Sequence, residues 1–272
     1  MDIYGIDFTS TPTKRKHITC IEAVLDGDWL RVKGLQRWSS LADFEHFLQR
    51  PGPWLAGMDF PFAMPRRFIE TIGWPPVWRD YVDLVSQWDR VQFRATLDDY
   101  RADRPSGDKE HRRVADARAG AISPQKLYGT PVGLMFFEGA PRLLNSGICL
   151  PGLRDNSDPR IGLECYPGLL ARRYIGRLTY KQDDPAKQTP AQQQARLTLW
   201  QHLQSEQLLH DYGLRLQADA ELIDDPSGDA IDALLCATQA AWAARQGAPH
   251  YGQPRGVDPL EGWIYDPLLS SD

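Results

Sequence analysis

The hydrophobic pattern begins with two short apolar runs that each end near an acidic residue. The first run covers residues 3–8 and carries Asp7, and the second covers residues 54–61 and carries Asp59, two residues before Pro61. Short apolar runs of this kind are typical of buried strands, and the proline prevents further ladder hydrogen bonds after the second run. We therefore predict two central strands, each with a carboxylate close to its end.

The pattern between these two runs predicts a hairpin followed by a helix. Residues 17–24 and 29–32 are rich in strand-forming side chains and flank Asp26-Gly27, a dipeptide that favours a tight turn. Strands one to three should therefore form an antiparallel meander. Residues 39–48 begin with two serines, continue with apolar residues at helical spacing and are followed by Pro-Gly-Pro, which predicts a capped helix leading back to the sheet.

The second half of the chain continues the alternation of strands and helices. A third strand-like run carries Glu164 and is closed by a proline. Residues 190–210 have the composition of one long helix, and a last helix should run from a cap at Asp225 to about Arg245. Residues 262–267 are interpreted as a terminal edge strand. The fold class predicted from these elements is α/β, with a mixed sheet flanked by helices.

Residues 63–160 interrupt this alternation with aromatic-rich helical segments, a polar stretch and a region punctuated by glycine and proline. We interpret residues 1–272 as a single domain in which residues 63–160 form a largely helical and irregular insertion. Basic residues, Lys126 among them, are concentrated in the insertion together with interspersed acids. A solvated helical face accounts for most of this charge, and a lid that contacts phosphate is the alternative.

Composition excludes some classes of protein. A net charge of -5 and a pI near 5.7 argue against coating nucleic acid by bulk electrostatics, although a local basic groove stays open. The 4 cysteines lie far apart, unlike those of a zinc ribbon or a redox motif, and are expected to be reduced thiols. Because the sequence contains neither a signal-peptide pattern nor a long apolar stretch, we expect a cytoplasmic protein without membrane association.

Four aspartates form the candidate chemical centre. Asp7 and Asp59 lie near the carboxyl ends of predicted strands, where open α/β sheets bind their ligands. Asp229 and Asp232 are three residues apart on the last helix and so project from nearly one face. Carboxylates that converge in this way repel one another unless a hard cation offsets their charge, and Mg²⁺ or Mn²⁺ with oxygen ligands is the natural choice. Two such ions can activate a water and stabilise the leaving oxygen of a phosphodiester.

Several of these acids also have purely structural explanations. Asp59 is placed where a turn residue would hydrogen-bond to its own backbone, and Asp229 near a helix start is favoured by the helix dipole. Glu164 is intermediate, because it is also explained by a structural ion pair with Lys181 or Arg172.

With these residues in view, the chain resembles domain of unknown function 429, a family of predicted ribonuclease H-like nucleases. More distantly, the order of the acids resembles that of Holliday-junction resolvases, which carry one acid on the first strand, one on the fourth and two on the last helix. The chain departs from the resolvases in the shorter side chain of Asp59 and in the long insertion. The matching segments are Gly5-Ile6-Asp7, Gly57-Met58-Asp59-Phe60-Pro61, Glu164-Cys165-Tyr166-Pro167, Asp229-Ala230-Ile231-Asp232-Ala233-Leu234 and Gly262-Trp263-Ile264-Tyr265.

This resemblance implies a ribonuclease H-like fold and metal-dependent hydrolysis of phosphodiester bonds, with a nucleic acid or a nucleotide as the expected partner. Glu164 would assist the reaction or position water. Lys126 or Lys181 would contact phosphate, and Thr9 would contribute to substrate binding. The metal ligands implied are Asp7, Asp59, Asp229 and Asp232.

Two other functions remain open from the sequence. The segment from Gly5 to Thr11 resembles the phosphate-binding hairpin of actin-like ATPases and sugar kinases. However, Phe8 occupies a position where that hairpin prefers glycine, and no second Gly-rich phosphate loop follows. The third interpretation is a catalytically silent adaptor that binds a protein partner through tryptophans of the insertion. These tryptophans are Trp74, Trp78 and Trp88.

Overall fold

The computed structural model describes residues 1–270, and within them the chain forms a 6-stranded mixed sheet with the strand order β5-β4-β1-β2-β3-β6. Strands β1, β2 and β3 form an antiparallel meander, while β4 runs parallel to β1, β5 to β4 and β6 to β3. The mixed α/β sheet predicted from the sequence is therefore confirmed. The strands are β1 (Asp2–Asp7), β2 (Ile18–Asp26), β3 (Trp29–Trp38), β4 (Trp54–Met58), β5 (Arg160–Glu164) and β6 (Arg215–Gln217).

Helices cover both faces of this sheet. Short 3-10 turns at Pro185–Lys187, Ala220–Ile223 and Pro267–Leu269 join some of them. The α-helices are α1 (Leu41–Leu48), α2 (Arg66–Thr71), α3 (Trp78–Ser86), α4 (Arg90–Ala102), α5 (Val114–Ala119), α6 (Val132–Ser146), α7 (Pro167–Ile175), α8 (Pro190–Leu203), α9 (Glu206–Tyr212) and α10 (Asp229–Gln246).

Each face of the sheet has its own hydrophobic core. Because successive strand side chains point to opposite faces, Leu55 of β4 packs into one core and Ala56 into the other. The first core contains α10 and the helices α7 to α9. The second contains α1 and the aromatic residues of the insertion, which include Phe68, Tyr81, Phe93 and Phe136. The insertion therefore shares a core with the sheet.

The tryptophans of the insertion belong mainly to this second core. Trp74 and Trp78 are buried, and the indole nitrogen of Trp78 donates to the carbonyl of Phe62 at 2.8 Å. Trp88 is half-buried and packs edge-on against Trp74. Buried rings are part of the core, so this cluster gives no support to a protein-binding surface made of tryptophans.

Helix α10 packs directly on the backbone of the two central strands. A Cβ atom on Gly5 of β1 would lie 2.7 Å from the Cβ of Ala237, and closer still to the carbonyl oxygen of Ala233. A Cβ atom on Gly57 of β4 would lie 2.5 Å from the carbonyl oxygen of Cys236. Only glycine permits such a close approach of helix to strand. The start of α10 is thereby fixed over the carboxyl ends of β1 and β4.

Two helix predictions were wrong in their boundaries. The single helix expected over 190–210 is divided into α8 and α9, because Ser205 accepts a hydrogen bond from the amide of Gln207 and starts a new helix. The last helix begins at Asp229 rather than just after Asp225, since Gly228 has a φ of 79° and interrupts the helical backbone. Asp225 still accepts a hydrogen bond from the amide of Ala230 at 3.3 Å, so it caps α10 from outside.

The terminal edge strand predicted over 262–267 is also absent from the described chain. Ile264 makes one isolated parallel bridge to Glu164, and the amide of Tyr265 donates to the carbonyl of Glu164 at 2.9 Å. Asp266 then caps the 3-10 turn at Pro267–Leu269, so the chain turns away after one ladder position. No helix in residues 1–270 has the length and apolar character needed to cross a membrane.

Candidate functional site

The spacing between glycine and aspartate directs two carboxylates toward α10. Gly5 precedes Asp7 by two residues, and Gly57 precedes Asp59 by the same distance. The amide of Asp59 donates to the carbonyl of Ile6 at 2.9 Å, so the ladder continues past the end of β4. Because strand side chains repeat every second residue on one face, both aspartates lie on the face that α10 covers.

The spacing along α10 brings two more carboxylates to the same place. Asp229 lies four residues before Ala233, which touches β1, and Asp232 lies four residues before Cys236, which touches β4. Residues four apart share a helix face, one turn apart. The structure therefore brings all four predicted aspartates together beyond the ends of β1 and β4.

The electrostatics of the cluster reflect this convergence. Burial raises the pKa of Asp7 well above its usual range, and the charges of Asp232 and Asp229 raise it further. The pKa of Asp59 is raised to about 7, first by burial and then by Asp232. Burial also raises the pKa of Asp229, although Lys16 opposes the shift. The cluster therefore holds more negative charge than its own cations neutralise.

Lys181 supplies the main positive charge inside the cluster. Its ammonium is paired with Asp232, which is 0% exposed and also accepts a hydrogen bond from the hydroxyl of Tyr180. Partial burial lowers the pKa of Lys181, but Asp232, Tyr180 and Asp7 outweigh this effect and the net shift is upward. Both oxygens of Asp232 thus have a partner within the chain.

A second lysine lies at the edge of the cluster. The ammonium of Lys16 is 3.2 Å from the carboxylate of Asp229 and 3.1 Å from that of Asp183. Neither Lys16 nor Tyr180 was identified from the sequence, since Lys16 lies in an irregular turn and Tyr180 in a loop without a periodic pattern.

The carboxylates of Asp7 and Asp59 differ from the other two, because neither accepts a hydrogen bond or an ion pair from residues 1–270. In the same part of the chain, no group of three or more His, Cys, Asp and Glu side chains is arranged as a metal site. Carboxylate oxygens are the hard ligands that Mg²⁺ and Mn²⁺ prefer, so the chemical type of the donors fits these ions. Their arrangement in residues 1–270 does not bring three of them together as ligands of one ion.

The aspartates line a cleft of about 450 Å³, which we call the acid cleft. Asp7, Asp59 and Asp229 form part of its wall together with Lys16 and Lys181. Thr9, predicted to bind substrate, also lines the acid cleft. The elements around the cleft are the ends of β1 and β4, the start of α10, the loop at residues 129–131 with the first turn of α6, and the loop at residues 181–183.

Two further depressions join the acid cleft at Asp59 and Lys181, which line all three. One is a pocket of about 240 Å³ that contains Ile122, Met135 and Tyr166, which we call the apolar pocket. The other is a cleft of about 500 Å³ beside α7 that carries basic and aromatic side chains, namely Tyr166, Arg172, Arg177 and Tyr180.

Glu164 is held in a buried ion pair with Arg113, rather than with Lys181 or Arg172. The Arg113 guanidinium donates to both oxygens of Glu164, at 2.8 Å to one of them, and the amide of Phe62 donates at 2.9 Å. Burial raises the pKa of Glu164, while Arg113 opposes the shift. Both oxygens are therefore occupied, and the pair ties β5 to α5 and to the segment after Asp59.

The only sequence signal for Arg113 is weak: it lies three residues before Asp116 at a helix start. These two side chains are 2.7 Å apart, and both are buried. Such an i,i+3 pair is common on exposed helices, so the pattern by itself does not identify a buried network.

Lys126 lies away from the aspartates, in a pocket of about 610 Å³ that we call the basic pocket. It is lined by the side chains of Arg67, Glu110, His111, Arg112, Ile122, Ser123, Lys126 and Tyr128. The structure therefore separates the two predicted phosphate contacts: Lys181 is in the acid cleft and Lys126 is in the insertion.

Comparison with known proteins found no matching family model, no matching curated protein and no matching solved structure. The chemistry of the acid cleft therefore rests on its own residues.

Proposed function

We propose that this protein hydrolyses phosphodiester bonds with Mg²⁺ or Mn²⁺ held in the acid cleft. The observation that carries the proposal is the convergence of Asp7, Asp59, Asp229 and Asp232 from two strand ends and one helix. Burial raises the pKa values of Asp7, Asp59 and Asp229, and neighbouring carboxylates raise those of Asp7 and Asp59 further. Carboxylates that cluster in a cleft, and whose charge neighbouring lysines do not fully neutralise, are suited to a hard divalent cation.

The donor set fits such a cation in chemical type. Asp7 and Asp59 would bind first, because no group in residues 1–270 competes for their oxygens. Asp229 and Asp232 would become further ligands once Lys16 and Lys181, which now pair with them, move to another partner such as a substrate phosphate. A bound metal would supply an activated water and stabilise charge on the leaving oxygen.

The remaining residues have roles that follow from their contacts. Tyr180 orients Asp232 by donating a hydrogen bond to it. Lys181 and Thr9 line the same cleft and would contact a substrate phosphate, as a released ammonium and a hydroxyl can. Glu164 would position the segment that follows Asp59 rather than bind metal, because Arg113 and the Phe62 amide already occupy its oxygens.

The fold is consistent with this proposal. A meander of β1 to β3, continued by parallel β4 and β5, is the sheet that a ribonuclease H-like protein is expected to have. The motif order supports placing the chain near domain of unknown function 429, with nucleic acid as the substrate class. Four buried free cysteines agree with action in the reducing cytoplasm.

The test combines metal location with activity. Crystals soaked in Mn²⁺ should give anomalous density between Asp7 and Asp59, and the protein should hydrolyse the small diester bis(p-nitrophenyl) phosphate in Mn²⁺. Asp7→Asn and Asp59→Asn should each lower the rate at least about 100-fold, since each removes a ligand charge. Asp98→Asn, a change at an exposed acid of α4, is the matched control. A wild-type protein that does not hydrolyse the diester in Mn²⁺, with or without anomalous density, would refute the proposal.

A further inference from the structure

The basic pocket of the insertion carries positive charge that the chain does not neutralise. Arg112 is exposed and has no ion-pair partner among residues 1–270, and Lys126 contacts no carboxylate in that range. Arg67 is paired with Asp108 at 2.6 Å, and Glu110, the acid that lines the pocket, is paired at 3.6 Å with an arginine outside it. Since the whole chain has a net charge of -5, this local excess of cations is a specific feature of the pocket.

An exposed aromatic ring accompanies these cations. Tyr128 is 55% exposed, and its ring centroid lies 5.1 Å from the guanidinium carbon of Arg101 and 5.1 Å from the ammonium nitrogen of Lys126. A ring in this setting can stack on a nucleobase while the neighbouring cations contact phosphates. The buried tryptophans of the same insertion are not available for such stacking.

The apolar pocket lies between the basic pocket and the acid cleft and shares lining residues with each. Ile122, which is 38% exposed, lines both the basic pocket and the apolar pocket. Thr130 and Met135 line both the apolar pocket and the acid cleft. A bound chain could therefore follow one surface from Tyr128 to Asp59.

We propose that this surface binds single-stranded nucleic acid, with phosphates at Arg112 and Lys126 and an unpaired base stacked on Tyr128. Stacking needs a base that is free of its complement, and a pocket of about 240 Å³ beyond Ile122 is the size of a single base rather than a duplex. The inference rests on the proposed function and deepens it, because it narrows the substrate of the acid cleft from nucleic acid to single strands. Binding at the basic pocket itself requires no metal.

Binding is measured by fluorescence anisotropy in EDTA, with labelled oligothymidylate and oligouridylate compared with a duplex of the same length. We expect both single strands to bind more tightly than the duplex, and the difference between them identifies DNA or RNA. Tyr128→Ala should weaken single-strand binding about tenfold through the lost stacking. Lys126→Gln should lower the slope of log K against log salt by about 0.7, the loss of one phosphate contact.

Trp29→Ala is the matched control for Tyr128→Ala. Trp29 is 36% exposed and has the Arg31 guanidinium 5.0 Å from its ring centroid, but it lies on β3 outside the basic pocket. Equal loss of binding in both variants, unchanged binding in Tyr128→Ala or tighter binding of the duplex would each overturn the inference.

The same protein preparation separates this inference from the proposed function. Single-strand binding that depends on Tyr128, without hydrolysis of bis(p-nitrophenyl) phosphate in Mn²⁺, would refute the hydrolase and leave the binding surface. Hydrolysis that is lost in Asp7→Asn, together with strand binding that ignores Tyr128, would refute the binding surface and leave the hydrolase.

Discussion

A Cβ atom placed on Gly5 would lie 2.7 Å from the Cβ of Ala237, so β1 and α10 are in direct backbone contact. Gly5→Ala should destabilise the protein by about 3 kcal/mol or more, because neither a central strand nor a buried helix can yield easily. Urea unfolding measures the effect. Gly34→Ala is the control, since its Cβ would meet only the Glu22 carboxylate, at 3.8 Å. Similar losses in the two variants would contradict the close packing of α10 on β1.

The pairing of Lys181 with Asp232 predicts opposite effects with and without metal. In EDTA, Lys181→Met should lower the free energy of unfolding by about 2 kcal/mol, since Asp232 loses its partner while water screens part of the effect. The Lys181 side chain is 47% exposed, which is the reason for the modest figure. In Mn²⁺, the variant should gain more in Tm than the wild type, because the competing ammonium is gone.

Lys187→Met provides the comparison for that experiment. Lys187 pairs with Asp184 at the surface, where both side chains are largely exposed. Its removal should change stability by less than about 0.5 kcal/mol and leave the response to Mn²⁺ as in the wild type. A smaller gain in Tm for Lys181→Met than for Lys187→Met would contradict competition between Lys181 and metal.

The raised pKa of Asp59 predicts a pH-dependent stability. Because this pKa is about 7 in the folded protein and about 4 when unfolded, the folded state holds the proton more tightly. The stabilisation by that proton is complete below pH 4 and is lost as the pH rises through 7. In EDTA at pH 8, Asp59→Asn should therefore be more stable than the wild type, by about 2 kcal/mol.

Urea unfolding of the wild type and Asp59→Asn across pH 4 to 8 measures this difference directly. The two proteins should converge at the acidic end of the series, where the wild-type carboxyl is protonated. Parallel pH profiles would show that Asp59 titrates normally. Added Mn²⁺ at pH 8 should reverse the order of stability, because the wild type then has a charged carboxylate at position 59 and the variant has a neutral amide.

The buried pair of Arg113 and Glu164 predicts a structural rather than a chemical role for Glu164. Glu164→Gln should cost about 3 kcal/mol in unfolding free energy, because Arg113 keeps a charge that is no longer fully compensated. The stabilisation by Mn²⁺ should remain. Glu70→Gln, at the exposed pair with Arg66, should cost less than about 0.5 kcal/mol. Loss of the Mn²⁺ response in Glu164→Gln, with little loss of stability, would instead make Glu164 a metal ligand.

The sequence by itself determined the elements that build the acid cleft. Short apolar runs identified the central strands, and Asp26-Gly27 identified the hairpin in which Asp26 pairs with Trp29. The spacing of Asp229 and Asp232 was sufficient to place them on one helix face. These features depend on the local periodicity of strand and helix, which neighbouring residues along the chain specify.

Only the tertiary structure decided which residues form ion pairs with the acids and which pockets adjoin one another. Arg113 and Glu164 are 51 residues apart, as are Lys181 and Asp232, and no local pattern relates residues at such separations. Local propensity also failed at Ser205, where a cap divides the helix expected over 190–210. Ion pairs and the surface from Tyr128 to Asp59 depend on packing between distant segments, because a buried charge selects its partner by proximity in the folded chain.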